Sequence, residues 1–253
     1  MRLAAIGIIL FLPFWPVNFA FAQTKQMALP ADDIYELRIY CGAGSLYITN
    51  AEWQNNIRVF AEIEVGDKNK VVYQEFAEKY VDLRLERKGS RAILQSDLKR
   101  NFLNPVDAQI NLTIEVPRGV DLFIDDGSGP IHIQYFAGHL EIKDDSGRIR
   151  IEKVVGNVTV VDGSGKIFME DIQGNIEVKD GSGSVEVDKI KGDVRVTDGS
   201  GKISIQYVDG YVTVMDESGE IDINDISGDV LIRGPGTGEL NIERVRGKVV
   251  TQN

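Results

Sequence analysis

The chain has 253 residues, a formal net charge of −11 at pH 7 and a single cysteine, Cys41. An acidic excess of this size repels phosphate backbones, which argues against a nucleic-acid partner. One thiol excludes an internal disulfide, so stability has to come from burial and backbone pairing.

Residues 1–22, MRLAAIGIILFLPFWPVNFAFA, carry one positive charge at Arg2, an apolar run from Leu3 to Val17, and small residues at Ala20 and Ala22. That order reads as a secretory signal peptide cleaved after Ala22. The run is short for a membrane span and is broken by Pro13 and Pro16; an uncleaved anchor is the alternative. No later segment is apolar enough to cross a bilayer, so the mature chain is expected in the periplasm or at the cell surface, without a membrane span. Cys41 lies too far from the signal to carry a lipid and is expected in a strand, buried as a small apolar side chain.

Residues 23–107 read as an irregular N-terminal β region that caps the repeats and blocks edge pairing. In "GSLYITNAEWQNNIRVFAEI", Gly44, Leu46, Ile48, Ile57 and Val59 fall at repeat positions if two residues are inserted before Ile57, which makes this stretch an early coil. "VDLRLERKGSRAILQSDL" and "INLTIEVP" alternate as strands. The segments near Asp67 to Lys70 and Asn101 to Pro105 read as loops.

Residues 108–253 are a regular repeat, continuous with the preceding region. The motif D-x-S-G begins at Asp126, Asp144, Asp162, Asp180, Asp198 and Asp216, a spacing of 18 residues without slippage, and a degraded seventh copy follows as GPGTGELNIERVRG. After each serine, apolar side chains stand at fixed offsets, for example Ile203, Ile205, Val208, Val212 and Val214, and a second glycine recurs at Gly138, Gly156, Gly174, Gly192, Gly210 and Gly228. Two short alternations of Ile and Val per unit predict two strands with one face buried, joined by glycine-bearing turns. One such unit cannot bury enough to fold alone, whereas stacked copies complete each other's hydrogen-bond ladders. The predicted fold is an all-β, right-handed parallel β-solenoid, a flattened β-helix or roll, with 18-residue coils. The spacing does not fit hexapeptide coils.

The run "NLTIEVPRGVDLFIDDGSGPIHI", followed by serial "DGSGKI" units behind a signal peptide, resembles the "putative adhesin" domain family of bacterial envelope proteins. The resemblance is best from Ala108 to Val250 and weaker from Ile34 to Asp97. It implies a parallel β-helical domain at the cell surface or in the periplasm, and it supplies no catalytic residues.

The aspartates Asp126, Asp144, Asp162, Asp180, Asp198 and Asp216 should lie in line, about 4.8 Å apart along the stack. Calcium binding is one reading of that column, but the calcium roll needs an acidic partner in both half-repeats, and the second half has none at a constant place. Turn structure is the preferred reading: each Asp accepts backbone N–H bonds while the glycine takes a positive φ. Repulsion between solvated neighbours at this spacing is only ~0.9 kcal/mol. "GSG" and "GPGTG" are turns, because no helix follows to hold a phosphate. The serine column has six equivalent members and the only histidines, His132 and His139, flank one coil, so no Ser-His-Asp site is expected.

Outward positions in the first strand of each unit are Arg150, Phe168, Glu186, Ser204 and Asp222, and in the second Thr159, Glu177, Arg195 and Thr213; they read as a varied, unconcentrated face. Tyr135, Tyr207 and Tyr211 cluster at turns, with Trp53 in the irregular half, and exposed aromatics can stack on sugars. Asn111 and Asn157 stand in N-x-T triplets on strands. No catalytic, cofactor-binding or metal-binding residue is assigned, and no cofactor is expected. The expected protein is a non-enzymatic envelope adhesin or scaffold with an acidic surface, whose partner is an envelope or surface ligand, glycan or protein. A polysaccharide-active enzyme or a sensor of cationic peptides are the rivals.

Overall fold

The structure, a computed structural model, describes residues 23–52, 55–65, 79–99, 108–235 and 238–252. The expected signal peptide, the loops at 67–70 and 101–105, and Trp53 lie outside the described residues.

Each repeat forms two strands because its two short Ile/Val alternations are separated by glycines at both corners. The longer strands are β9 (Ile131–Ala137), β11 (Gly147–Val155), β13 (Gly165–Gln173), β15 (Gly183–Lys191), β17 (Gly201–Asp209), β19 (Gly219–Ile226) and β21 (Leu240–Val245). The other strands, mostly shorter, are β8 (Asp121–Ser128), β10 (Leu140–Asp144), β12 (Val158–Asp162), β14 (Ile176–Asp180), β16 (Val194–Asp198), β18 (Val212–Asp216), β20 (Val230–Pro235) and β22 (Val249–Gln252). Longer strands stack parallel in one eleven-stranded sheet and shorter ones in a second. The register is the repeat itself: Ile149 pairs with Ile167, and Val160 with Val178. The chain is therefore an all-β parallel solenoid with 18-residue coils.

The five inward positions of a coil close the interior. Ile149, Ile151, Val154, Val158 and Val160 are all at most 1% exposed, as are their equivalents two coils on, Val185, Val187, Ile190, Val194 and Val196. Because each side chain rests on its copy one strand spacing away, the core is a set of aliphatic columns running the length of the stack.

The corners depend on glycine. A Cβ on Gly201 would stand 1.8 Å from the carbonyl oxygen of Gly183, so neighbouring coils touch through bare backbone there. A second corner device is invisible in composition. Tyr135, Lys153, Asp171, Lys189, Tyr207, Asp225 and Arg244 all adopt φ between 52° and 57°. This left-handed residue is skipped in the pairing, so that Glu152 meets Gln134 and Val154 meets Phe136 while position 153 bulges out.

The N-terminal half departs from the expected parallel coils. Strands β2 (Glu36–Ala43) and β3 (Leu46–Asn50) do form an early coil, parallel to β8 and β9, with Leu46 and Ile48 at the repeat positions. Ile57 and Val59, however, lie on β4 (Asn56–Val65), which runs antiparallel to β7 (Ala108–Val116) and belongs to the same sheet as β3. They are not the second strand of that coil; β2 already holds that place, its Leu37 and Ile39 pairing with Leu122 and Ile124. Beyond β4 lies β1 (Gln23–Pro30), also antiparallel. The second sheet ends in an antiparallel hairpin of β5 (Val81–Lys88) and β6 (Arg91–Leu98). Period-2 alternation reads the same in both directions, so the residues of β4 carry no signal of its orientation.

Candidate functional site

The aspartate column is formed where the shorter strands end. Asp144 pairs with Asp126 and Asp162, Asp180 with Asp162 and Asp198, and Asp216 with Asp198. As the turn reading requires, the backbone N–H of Ser164, Ser182, Ser200 and Ser218 donates to Oδ1 of the aspartate two residues earlier, at 3.2–3.3 Å. The carboxyls are not solvated, however. All six residues are between 2% and 6% exposed, and the Oδ2 atom of each is buried without a partner. The even spacing along the sequence could not reveal this, because a turn aspartate can face water or the interior. Burial pushes Asp126, Asp144, Asp162, Asp180 and Asp198 up to about 6, and raises Asp216 as well. Among the described residues no group of three acidic, histidine or cysteine side chains is placed to hold a metal ion.

Cys41 continues that column. It lies on β2 opposite Asp126 on one side and Ser96 on the other, half-buried rather than sealed in the core. Burial and the neighbouring Asp126 carboxyl push its thiol well above the usual range.

At the other corner runs a ladder that the spacing of apolar residues does not announce. Backbone N–H groups of His139, Asn157, Asn175, Asp193 and Tyr211 donate to the side chain of the residue one coil earlier, at 2.8–3.1 Å. The signal for it is the Asn or Asp that follows most of the second glycines, as at Gly156-Asn157, Gly174-Asn175 and Gly192-Asp193, with His139 standing in after Gly138. Asn175 both supports Asp193 and rests on Asn157, so Asn175→Ala should lower stability by about 1 kcal/mol in denaturant unfolding, with no change in fold.

The outward face is less even than expected. On the longer-strand sheet, Arg150 donates to both carboxylate oxygens of Glu152 at 2.6 and 2.7 Å and lies 4.3 Å over the ring of Phe168. His132 meets the same carboxylate at 3.0 Å, and its ring stands edge-on to Tyr47 at 5.3 Å. The Tyr47 hydroxyl takes the side-chain amide of Gln134. Glu152 is held below the usual carboxylate range, chiefly by the Arg150 hydrogen bonds and further by His132, against the opposing effect of its partial burial. Two aromatic rings, a fork of cationic nitrogens, an imidazole and an amide therefore share one surface over β3, β9, β11 and β13. Sequence offsets missed it because Tyr47 comes from the irregular half and joins the repeat only through the β3–β9 pairing. The opposite sheet carries a smaller aromatic group at the same end, with Arg38 and Lys143 4.7 and 5.1 Å from the Phe123 ring.

Farther along, the face becomes ordinary. Glu186 and Lys166 pair at 3.1 Å, and Glu220 and Lys202 at 2.6 Å, across neighbouring coils. Thr159, Glu177, Arg195 and Thr213 line a shallow groove with Asn175, Asp193 and Tyr211. The three tyrosines do not gather: Tyr135 lies under the Lys153 ammonium, Tyr207 is four coils away in the same left-handed row, and Tyr211 belongs to the groove of Thr159 and Glu177. His139 accepts the Asn157 N–H and His132 contacts Glu152 and Tyr47, so neither histidine engages a serine of the D-x-S-G column. Asn111 is tied up by Ser45 and Glu64.

The profile of one protein family, Toastrack DUF4097, matches residues 34–249, which takes in the early coil, the antiparallel strands β4 to β7 and the repeats. The chain belongs to the Toastrack family. Among solved structures, a "putative adhesin" from Parabacteroides distasonis is similar at 12% identity and a TM-score of 0.56, covering 92% of this chain and 98% of that one. A second "putative adhesin", from Bacteroides fragilis, is 13% identical with a TM-score of 0.44, covering 91% and 97%. No curated protein matches the sequence. At such identity the P. distasonis structure speaks for the fold alone. Within the Toastrack chain, the "VPRG" segment forms the tight turn into β8, with Gly119 at φ 84°, and "DDGSG" closes that strand at the first rung of the aspartate column.

Proposed function

We propose that this Toastrack protein is a non-enzymatic, adhesin-like protein of the bacterial envelope, exported by its N-terminal leader, and that it binds a glycan through the Tyr47–His132–Arg150–Glu152–Phe168 face. One observation carries this reading: aromatic rings and a preassembled set of donors and acceptors lie together on a rigid sheet, the arrangement that lets a sugar stack and hydrogen-bond at once. The names of the structural neighbours point the same way. A stiff solenoid holds such a face without the entropy loss a loop would suffer on binding.

Polysaccharide cleavage would draw on the His132–Glu152 pair. A glycosidase acid needs a carboxyl raised toward neutrality, and Arg150 moves Glu152 the opposite way. The protein should therefore release no reducing sugar from envelope polysaccharide.

The test is binding of the mature chain to a panel of immobilised envelope glycans, with Phe168→Ala and Tyr47→Ala as variants. Each should weaken binding by about five- to 150-fold, matching the ~1–3 kcal/mol that stacking on a ring contributes, while leaving the melting temperature within a few degrees. Full binding by the double variant would overturn the assignment of this face, and reducing-sugar release would overturn the non-enzymatic reading.

A further inference from the structure

The interior of the repeat holds six carboxyl groups that the binding face does not use. Each is at least nine-tenths buried with its Oδ2 lacking a hydrogen-bond partner, and Asp144 has its Oδ1 unpartnered as well. Adjacent members are paired in register, one strand spacing apart. If all six were ionised, neighbouring charges would stand one strand spacing apart in a poorly solvated interior, an arrangement that is costly. A proton on every other member removes this conflict. A protonated carboxyl that turns toward the next coil can donate to its carboxylate, so that one proton taken from water satisfies two orphans.

We propose that the aspartate column is a buried proton store, in which neighbouring carboxyls share protons along the stack, so that the folded solenoid binds protons the unfolded chain releases near neutral pH.

The ends of the column fit this assignment. Cys41, with its S–H, and Ser96, with its O–H, occupy the next two positions on β2 and β6, Cys41 pairing in register with Asp126. At the other end Asp216 faces Pro235, where the chain of polar side chains stops. The charged groups acting most strongly on the column are acidic throughout: its own members, Asp125 on β8, Asp145 in the next corner, and Glu217 beside Asp216. No cation stands among these leading influences, so protons are the natural counter-charge.

The sign follows from the direction of the shift. Carboxyls held up at about 6 in the fold, against an ordinary aspartate value near 4, stabilise the folded state fully below about pH 4. That contribution is lost as pH rises through about 6. The melting temperature should therefore fall between about pH 4 and pH 7 and level off above, where general acid unfolding does not intervene first. Asp162→Asn and Asp180→Asn place a permanent amide donor in the column, keep the Ser N–H acceptor, and should each raise the melting temperature at pH 8 by a few degrees while shrinking the fall. The exposed Asp171→Asn serves as control for the simple removal of surface charge and should change neither. Carboxyl carbon NMR of the unmodified protein gives an independent reading: column aspartates should titrate well above the exposed ones. A flat or rising melting profile, column variants that lower stability at pH 8 or do no more than Asp171→Asn, or column aspartates that titrate with the exposed ones, would each overturn the proposal.

Discussion

Gly183→Ala should cost more than about 4 kcal/mol and leave the central coils unable to close, seen as loss of the cooperative melt by circular dichroism. The added Cβ would lie 1.8 Å from the Gly165 carbonyl oxygen, 2.8 Å from its carbon and 3.0 Å from its nitrogen. All three atoms are backbone, so no side chain can rotate away, and moving the coil would break the parallel ladder on both sides. The residue's φ of 139° adds a conformation that L side chains rarely adopt. Gly89, in the β5–β6 hairpin, supplies the comparison. Its φ is 65° and nothing lies within 4 Å of the place a Cβ would take, so Gly89→Ala should cost only the ~1–2 kcal/mol of the left-handed backbone. Equal effects at the two sites would mean that backbone strain, not the contact between coils, makes the corner glycine necessary.

Ile205→Ala should lower stability by about 2–5 kcal/mol in denaturant unfolding. Ile205 is fully buried and rests between Val187 and Ile223 on the neighbouring coils, so the cavity opens inside an aliphatic column whose other members are fixed by their own strands. Solenoid stability is a sum over coils and their contacts. Weakening one rung therefore also weakens the hold on the coils beyond it. The denaturation curve of Ile205→Ala should broaden or split as residues after 205 open first, whereas Ser204→Ala, on the outward face of the same strand, should stay within about 0.5 kcal/mol of the parent.

The repeat makes most of the fold legible. Ile149, Ile151, Val154, Val158 and Val160 point inward because alternation and an 18-residue spacing leave no other way to bury them, and the corner glycines mark where coils touch. The features that stay hidden in the residues do so for physical causes. The direction of β4 is not encoded in alternation. The left-handed row runs through Tyr135, Lys153, Lys189, Tyr207 and Arg244, residue types that do not announce that conformation, as well as Asp171 and Asp225, so the tertiary stack rather than residue type enforces it. The burial of Asp162 and Asp180 is concealed because the same turn can present its carboxyl to either side. The face at Tyr47, His132, Arg150 and Phe168 requires knowing that β3 pairs with β9, a contact between residues more than eighty positions apart.

The left-handed row has a consequence for how such a chain can change. At Lys153, Asp171 and Lys189 the backbone leaves the pairing, so the side chain there neither fills the interior nor completes a ladder. Letters at these places can be rewritten, coil by coil, with little penalty to the rest. At Lys153 and Lys189, asparagine, at ease in this conformation, is the substitution most apt to strengthen the turn. The molecule thus offers a ruled line along its edge, one slot per coil, on which new chemistry can be grafted while the scaffold beneath is left untouched.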